Sequence, residues 1–362
     1  MRGSRGSASC GNNRTSLVSD HKIRGKARNW DQIPDPRSSI QPSPTPRYDP
    51  SMRFAIAIPQ LYPDGSFSPA DFRGYLERAE SLGVYESAWT QEAAFGSNPQ
   101  LSPLEMMTYA AACTATLRLG CAVFVTTQNS PVHLAKALAS LDQLSGGRVE
   151  VGVGSGGPQR PFAAFGLSPD RYLARFTEGI ELMKALWTSS PVTFEGEFFQ
   201  LKDIPIEPKP YQRPHPRLWF GGSAEAAVRR GVRLCDGFFG GGQSPTSAFA
   251  AQVSVARAVL AASGRSEGFG PGQFPIAKRI YIGLDPAGRV RARTRMNAAL
   301  EAVYGRRVAA IESAAVAGTL PECVAGVREV IKAGAELILF TPLFDAHEHM
   351  ERIATELIPA LA

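Results

Sequence analysis

An alternation of apolar runs and amphipathic segments is the feature of this sequence that most restricts its fold. It is clearest in the middle of the chain, where the run RLGCAVFV at 118–125 is followed by SPVHLAKALASLDQL and then by RVEVGVG. Ser130 is a typical helix N-cap, Pro131 takes the first helical position, and leucines recur at helical spacing until two glycines end the segment. The unit predicts two parallel strands joined by a helix.

The same alternation continues from Met52 to the C-terminus. The predicted strands are 53–58, 84–89, 118–125, 149–153, 217–222, 236–241, 277–284 and 336–340, each followed by a helical segment. A polar hairpin at 191–203 interrupts the pattern after the fourth helix, and a longer helical insertion at 287–317 follows the seventh strand. Eight such pairs over about 310 residues match a (β/α)₈ barrel. A doubly wound sheet of eight strands is the alternative.

The stretch VGVGSGG at 151–157 spells G-x-G-x-x-G directly after a predicted strand. A nicotinamide dinucleotide site would need a helix to open there and take the pyrophosphate. Pro158 follows instead, and two more prolines interrupt the next residues, so no helix begins at that point. We therefore do not interpret these glycines as a Rossmann turn.

Glycine-rich turns follow three successive predicted strands, at 154–157, 221–222 and 240–242. In a barrel these turns share the C-terminal rim, where active sites lie, and glycine lets backbone N–H groups approach a ligand closely. Ser223 stands at the predicted start of the next helix, where free N–H groups favour a phosphate. In the alternative interpretation Ser223 only caps that helix. The pattern predicts a flat, anionic ligand held largely by main chain.

The basic charge of the chain lies in its first residues. The formal net charge is +6, and residues 1–51 contribute nine Lys and Arg against four Asp and Glu, which leaves +1 for 52–362. This tail has few apolar residues and many prolines, so we expect it to be disordered, with Met52 as a candidate native start. The charge distribution gives no reason to expect nucleic acid as a partner of the 52–362 domain.

Three absences in the sequence limit the remaining possibilities. No apolar run reaches the ~18 residues of a membrane span, so we expect no membrane partner. The five cysteines are scattered, which suits a reduced cytoplasmic compartment. His347 and His349 are two residues apart and point to different sides of a helix, so we expect no metal site.

Several segments together give the chain a family resemblance. The run LSPLEMMTYAAACTATLRLGCAVFVTTQNSPVHLAKALASLDQLSGGRVEVGVGSGG at 101–157, the run RLWFGGSAEAAVRRGVRLCDGFF at 217–239 and the opening MRFAIAIPQ resemble the bacterial luciferase-like superfamily of flavin- and deazaflavin-dependent oxidoreductases. The resemblance covers 52–362. It implies a (β/α)₈ barrel that binds reduced FMN or coenzyme F420 at its rim, acts on a small organic substrate and forms a homodimer.

The resemblance also implies the position of the cofactor. A cis peptide between Ala122 and Val123 would lie under the cofactor ring. The residues implied to bind the cofactor are Ala122, Val123, Gly154, Ser155, Gly156, Gly221, Gly222, Ser223, Gly241, Gly242 and Gln243. After the second strand many members read W-x-x-D/E-H, whereas this chain has Ala93 where the histidine would stand, and Glu92 is the nearest candidate for a catalytic acid or base.

Three further side chains are predicted near the substrate. Gln128 and Asn129 follow the third strand and can hydrogen-bond a substrate, although Asn129 can also serve the turn before Ser130; Trp89 ends the second strand as a candidate pocket wall. The function predicted is hydride transfer with coenzyme F420 or O₂-dependent monooxygenation with FMN. F420 is slightly favoured because no base for an oxygen adduct is evident. A flavin-binding barrel without catalysis is the alternative.

Overall fold

The computed structural model describes residues 52–62, 66–96, 99–304 and 309–361, and the predicted tail at 1–51 lies outside these residues. The strands of the described part are β1 (Arg53–Ala57), β2 (Ser87–Thr90), β3 (Arg118–Val125), β4 (Val149–Gly154), β5 (Val192–Glu195), β6 (Gln200–Ile204), β7 (Arg217–Gly221), β8 (Gly237–Gly240), β9 (Ile276–Leu284), β10 (Val316–Gly318) and β11 (Leu337–Thr341). The helices are α1 (Pro69–Ser81), α2 (Pro103–Cys113), α3 (Pro131–Ser145), α4 (Tyr172–Thr188), α5 (Glu225–Leu234), α6 (Thr246–Ala262), α7 (Arg289–Tyr304), α8 (Ala309–Ala314), α9 (Leu320–Lys332) and α10 (Ala346–Arg352).

Eight parallel strands of this described part close into a barrel. Their order around it is β1, β2, β3, β4, β7, β8, β9 and β11, and β11 pairs again with β1. The closure through the β8–β9 and β9–β11 pairs confirms the (β/α)₈ prediction over the open, doubly wound sheet. β5 and β6 form a separate antiparallel hairpin after α4.

Local signals in the sequence explain where the helices begin and end. The Ser130 hydroxyl accepts a hydrogen bond from the His133 N–H at the start of α3, and Gly146 ends that helix in the left-handed conformation with φ +66°. Thr319 and Glu322 form a reciprocal capping box at the start of α9. The two N-terminal caps satisfy N–H groups that the first helical turn leaves without partners, whereas the Gly146 N–H donates to the Gln143 carbonyl at the end of α3.

A closed barrel has apolar side chains on both faces of its sheet, one set outside the barrel and one set inside. Most buried side chains lie between the strands and the surrounding helices. A smaller cluster fills the barrel interior, with Trp89, Trp219 and Phe239 packed edge-on against one another. The interior is therefore a packed floor, and ligands are restricted to the space over the strand ends.

The structure corrects three predicted boundaries. β2 begins at Ser87 and not at 84, because the preceding residues form the connection in which the Tyr85 hydroxyl donates to the Met350 carbonyl. α5 begins at Glu225 and not at Ser223. The insertion predicted as helical over 287–317 ends in the short strand β10. β9 is nine residues long, and β10 pairs with its last three residues, beyond the pairing with β11.

Candidate functional site

A cavity of about 730 Å³ opens over the C-terminal ends of the barrel strands. Its wall comes from the turns after β2, β4, β7 and β8, from the last residues of β3, from Arg279 and Tyr281 of β9 and from the end of α7. It contains eleven of the residues predicted from the sequence, namely Glu92, Ala122, Val123, Gly154, Gly156, Gly221, Gly222, Ser223, Gly241, Gly242 and Gln243. Residues far apart in the chain thus meet around one space.

The floor of the cavity includes an irregular piece of β3. The peptide between Ala122 and Val123 is cis, as the resemblance implied, and the β3–β4 register shifts between Cys121 and Phe124 at the same place. Both residues of the cis peptide line the cavity. The irregularity therefore presents main chain and small side chains to whatever the cavity holds.

The glycines at the ends of β4 and β7 make room for the side chain of Val123. A Cβ on Gly154 would lie 2.7 Å from Val123 Cγ2, and one on Gly221 would lie 2.6 Å from Val123 Cγ1. These distances are shorter than van der Waals contact permits. Glycine is therefore required at both positions because any side chain there would clash with this valine. The absence of side chains also leaves the backbone open to a ligand.

The other glycines of the rim differ in what they require. Gly156 has φ +66°, a conformation that residues with a side chain adopt only at a cost. A Cβ on Gly242 would lie 2.8 Å from the Tyr281 ring, whereas one on Gly241 would meet no atom within 4 Å. Gly241 therefore lines the cavity at a position where a side chain would meet no protein neighbour.

Ser223 lies at the cavity but does not cap α5. The N-cap residue is Ala224, and no side chain among the described residues caps the N-terminus of α5 by a hydrogen bond. Ser223 is exposed, and its carbonyl accepts a hydrogen bond from Gln252 Nε2 at 3.2 Å. The capping alternative is thus wrong, and Ser223 stands with two glycines immediately before a helix N-terminus, an arrangement that favours anions.

Glu92 lines the cavity with its carboxylate already engaged. The Val125 N–H donates to Oε2 at 2.5 Å, and the Asn129 amide donates to both oxygens at 3.2 Å. Burial raises the pKa of Glu92, and these hydrogen bonds and the charge of Arg160 oppose that rise. The carboxyl group therefore fastens the residues after β2 to the end of β3.

Four predicted site residues lie outside the wall of this cavity. Trp89 is 1% exposed within the barrel interior, where its indole N–H donates to Ser87 Oγ at 2.8 Å, because its position in β2 points inward beneath the rim. Gln128 and Asn129 line a neighbouring cavity of about 270 Å³, since the chain turns outward after β3. Ser155 is in the correct turn, but its carbonyl faces the Thr127 hydroxyl.

Sequence reasoning missed the polar side chains that β9 supplies. Lys278 and Arg279 are both buried, and Arg279 and Tyr281 line the cavity. The Tyr281 hydroxyl lies 2.5 Å from the Tyr304 hydroxyl at the end of α7. The sequence did contain a sign of these site residues, namely the adjacent charges Lys278 and Arg279 in the run AKRIYIGL. Charged side chains are rare in a fully buried strand unless they have a partner.

Lys278 points away from the barrel interior and holds the turn between β8 and α6. Its ammonium group donates to the carbonyls of Gly241 and, at 2.7 Å, of Ser244. Burial, together with the charge of Arg279, lowers the pKa of Lys278 to about 7. The turn that carries Gly241, Gly242 and Gln243 is thus fastened by a lysine that titrates near neutral pH.

Neither a metal cluster nor a membrane-spanning helix occurs among the described residues. No group of three or more His, Cys, Asp or Glu side chains in this part of the chain is arranged to hold a metal ion. None of its helices is both long and apolar enough to cross a membrane.

The closed barrel, the packed interior and the main-chain-rich cavity at the strand ends define a (β/α)₈ scaffold with a candidate binding site at the C-terminal rim. Comparison with protein families shows which family of (β/α)₈ proteins the chain belongs to. The model of the luciferase-like monooxygenase family matches residues 52–337, and the chain belongs to this family of oxidoreductases.

Individual relatives divide between two cofactors. The chain is 34% identical over 214 residues to an FMNH₂-dependent dimethylsulfone monooxygenase of Pseudomonas putida, a match that covers 58% of each protein. It is 34% identical over 182 residues to an F420-dependent glucose-6-phosphate dehydrogenase of Amycolatopsis mediterranei, which covers 48% of this chain and 53% of the relative. The chain thus spans little more than half the length of these relatives.

Solved structures extend the likeness over most of the chain. The monooxygenase RslO1 of Streptomyces bottropensis superimposes with a TM-score of 0.73 at 26% identity, over 86% of this chain and all of that one. An F420-dependent secondary alcohol dehydrogenase superimposes with a TM-score of 0.72 over 86% of this chain and 99% of that one. At 18% identity the latter supports the fold alone.

Proposed function

We propose that the cavity over the strand ends binds a reduced flavin-type cofactor, and that the protein uses it to monooxygenate a small organic substrate. The observation that carries this proposal is the meeting of the Ala122–Val123 cis peptide with three glycine-bearing turns around one cavity of about 730 Å³. Such a cavity suits a planar group with a phosphate tail.

The residues present fit such a cofactor. Ala122 and Val123 would lie against its ring, and Gly221, Gly222 and Ser223 would receive the phosphate at the N-terminus of α5. The turn with Gly241, Gly242 and Gln243 would complete the phosphate site from the neighbouring strand. Gly241 offers open space, with no protein atom within 4 Å of the place that a Cβ would take, as close approach of a ligand to backbone requires.

The choice of FMN rests on the relatives. Of the two relatives compared by sequence above, the FMNH₂-dependent enzyme matches over more residues, and RslO1 is also a monooxygenase. Coenzyme F420, which the sequence slightly favoured, is the second candidate, and the 34% identity to an F420-dependent dehydrogenase supports it. Bound reduced FMN supplies two electrons for the activation of dioxygen, whereas reduced F420 supplies a hydride to the substrate.

The protein's own groups would position the reactants and hold protons. Glu92 keeps the end of β3 in place through the Val125 N–H, and its raised pKa allows the carboxyl group to hold a proton at a higher pH than an exposed glutamate. The paired hydroxyls of Tyr281 and Tyr304 close one side of the cavity. The packed tryptophans beneath exclude water from the floor.

The test is an anaerobic titration of the full chain with reduced FMN and, separately, with reduced F420, followed by ring fluorescence. We expect saturable binding in the micromolar range for FMN. Tight binding of F420 and not of FMN would identify F420 as the cofactor. Binding of neither would refute the proposed function.

A charge variant checks where the phosphate lies. Ser223→Asp places a negative charge before α5 and should weaken cofactor binding about ten-fold or more by repulsion of the phosphate. Ser254→Asp, on the exposed face of α6, is the matched control and should leave the dissociation constant within about two-fold. Equal effects of the two substitutions on the dissociation constant would show that the phosphate does not bind at this turn. Turnover of any substrate with the reduced cofactor would also exclude the non-catalytic alternative.

A further inference from the structure

Arg279 spans the mouth of the barrel. It belongs to β9, yet its Nη1 donates to Gln91 Oε1 at 2.7 Å and its Nη2 donates to the Thr90 carbonyl at 3.4 Å, both at the end of β2. β11 and β1 separate β9 from β2 in the barrel. The guanidinium therefore lies over the centre of the barrel, on the floor of the cavity, and not at its rim.

This cation has only neutral partners. The side chain is 7% exposed, its Nε has no hydrogen-bond partner, and none of the ion pairs of the described residues includes Arg279. The Glu92 carboxylate, which also lines the cavity, already accepts hydrogen bonds from the Val125 N–H and the Asn129 amide. A buried cation without a counter-charge is costly, so the site is stabilised when an anion enters next to the guanidinium.

Gln91 holds the guanidinium in place for such a ligand. The Gln91 N–H donates to Gln60 Oε1 at 2.6 Å, and Gln60 Nε2 donates in return to the Gln91 carbonyl at 3.1 Å. Gln60 is itself 5% exposed. The arrangement is therefore rigid before any ligand arrives, which reduces the entropic cost of binding.

We propose that Arg279 determines substrate specificity by binding a negatively charged group of the substrate, a carboxylate or a sulfur oxyacid. The proposal rests on the proposed function, because the cofactor must leave the centre of the cavity to the substrate. The phosphate of the cofactor has its own main-chain site around Ser223 and Gly241 at the rim. A planar guanidinium matches the geometry of a two-oxygen anion better than that of a neutral group.

Matched pairs of probes test the proposal on the full chain, with and without the reduced cofactor. Methanesulfonate is compared with dimethyl sulfone, and butyrate with butyramide, by ligand-observed NMR titration. We expect the anion of each pair to bind about ten-fold more tightly than its neutral counterpart. Arg279→Gln should abolish that preference and leave binding of the neutral probes within about two-fold.

Two more variants separate the charge of Arg279 from general effects on the cavity. Arg279→Lys should retain part of the anion preference because the charge stays while the planar fork is lost. Arg233→Gln, at an exposed arginine in the last turn of α5 and outside this cavity, should retain all of it. If Arg279→Gln does not fold, the wild-type pairs and Arg279→Lys decide the question.

The outcomes that overturn the proposal are specific. Equal affinities within each pair, or no saturable binding of any probe, would show that the guanidinium does not select anions. Loss of reduced-cofactor binding in Arg279→Gln, with the probe preference kept, would assign the guanidinium to the cofactor. Failure of the proposed function is distinguishable, because the wild-type protein would then bind neither reduced cofactor whatever the probes do.

Discussion

At the scale of single residues, the cavity is shaped by steric relations that no short motif displays. Val123 reaches from β3 to the ends of β4 and β7, and Gly154 and Gly221 are the residues that accommodate it. The same glycines were expected from the sequence because a ligand needs bare backbone. The steric reason is observed in the structure, whereas the ligand-based reason stays a prediction.

The packing of Val123 leads to a prediction about two glycines of the same rim. Gly154→Ala places a Cβ 2.7 Å from Val123 Cγ2, so we expect a loss of about 1–3 kcal/mol in the free energy of unfolding. The double variant Gly154→Ala with Val123→Ala should recover part of the lost free energy of unfolding. Gly241→Ala meets no atom within 4 Å and should change stability by less than about 0.5 kcal/mol. Urea denaturation of the wild type and these variants measures the values; equal losses at Gly154 and Gly241 would contradict the steric argument.

At the scale of elements, β9 contributes to the site through both of its faces. Arg279 and Tyr281 point into the cavity, while Lys278 points outward and fastens the turn between β8 and α6. Alternation along a strand sends neighbouring residues to opposite faces. One strand thus supports the turn between β8 and α6 from behind and supplies the floor of the cavity in front.

The lysine behind this turn makes stability depend on pH. Burial lowers the pKa of Lys278 to about 7, so between pH 7 and its ordinary pKa of 10.5 the unfolded chain holds a proton that the folded chain has released. The free energy of unfolding therefore gains up to about 1.4 kcal/mol per pH unit from this group as pH rises from 7 towards 10.5, and that gain is lost again as pH falls back to 7. Below pH 7 both states hold the proton, and the group adds no slope. Lys278→Met should remove this slope between about pH 7.5 and 8.5.

The control for this pH dependence is Lys332→Met, because the Lys332 side chain is 71% exposed. That variant should keep the wild-type slope in urea denaturation across the same pH range. Parallel stability curves for the wild type and Lys278→Met would show that Lys278 keeps its ordinary pKa.

At the scale of the whole molecule, the barrel brings together turns that lie far apart in the chain. The cavity joins residues from Gln91 to Tyr304, and each of its turns is anchored by a strand whose neighbours hold it on both sides. Because the strands are parallel, all their C-terminal ends meet at one rim. The site therefore depends on closure of the barrel and not on any one segment.

This dependence on the barrel gives a prediction about the tail, whose structure lies outside the described residues. A chain from Met52 to Ala362 should have a melting temperature within about 2 °C of the full chain and the same affinity for the reduced cofactor, because a segment so poor in apolar residues contributes little burial. A larger loss of either quantity would show that the tail belongs to the folded unit. The homodimer also stays a prediction, and sedimentation equilibrium of both chains measures it.

The sequence by itself determined the order of strands and helices, the barrel and the positions of the glycine turns, because hydrophobic periodicity and helix caps are local properties. It also indicated the Ala122–Val123 peptide through the family resemblance. Three of the predicted site residues lie outside the cavity wall for different reasons: Trp89 points from β2 into the barrel interior, whereas Gln128 and Asn129 follow β3 where the chain turns outward.

Only the tertiary structure decided which side chains share the cavity. Arg279 meets Gln91 across 188 positions of sequence and over two intervening strands, and Val123 meets Gly221 across nearly a hundred. Such contacts depend on closure, tilt and register of the whole barrel, which fix distances to within an ångström only after all eight strands are in place. The physical reason is that periodicity records which face a residue buries, whereas the partner on that face is chosen by the fold.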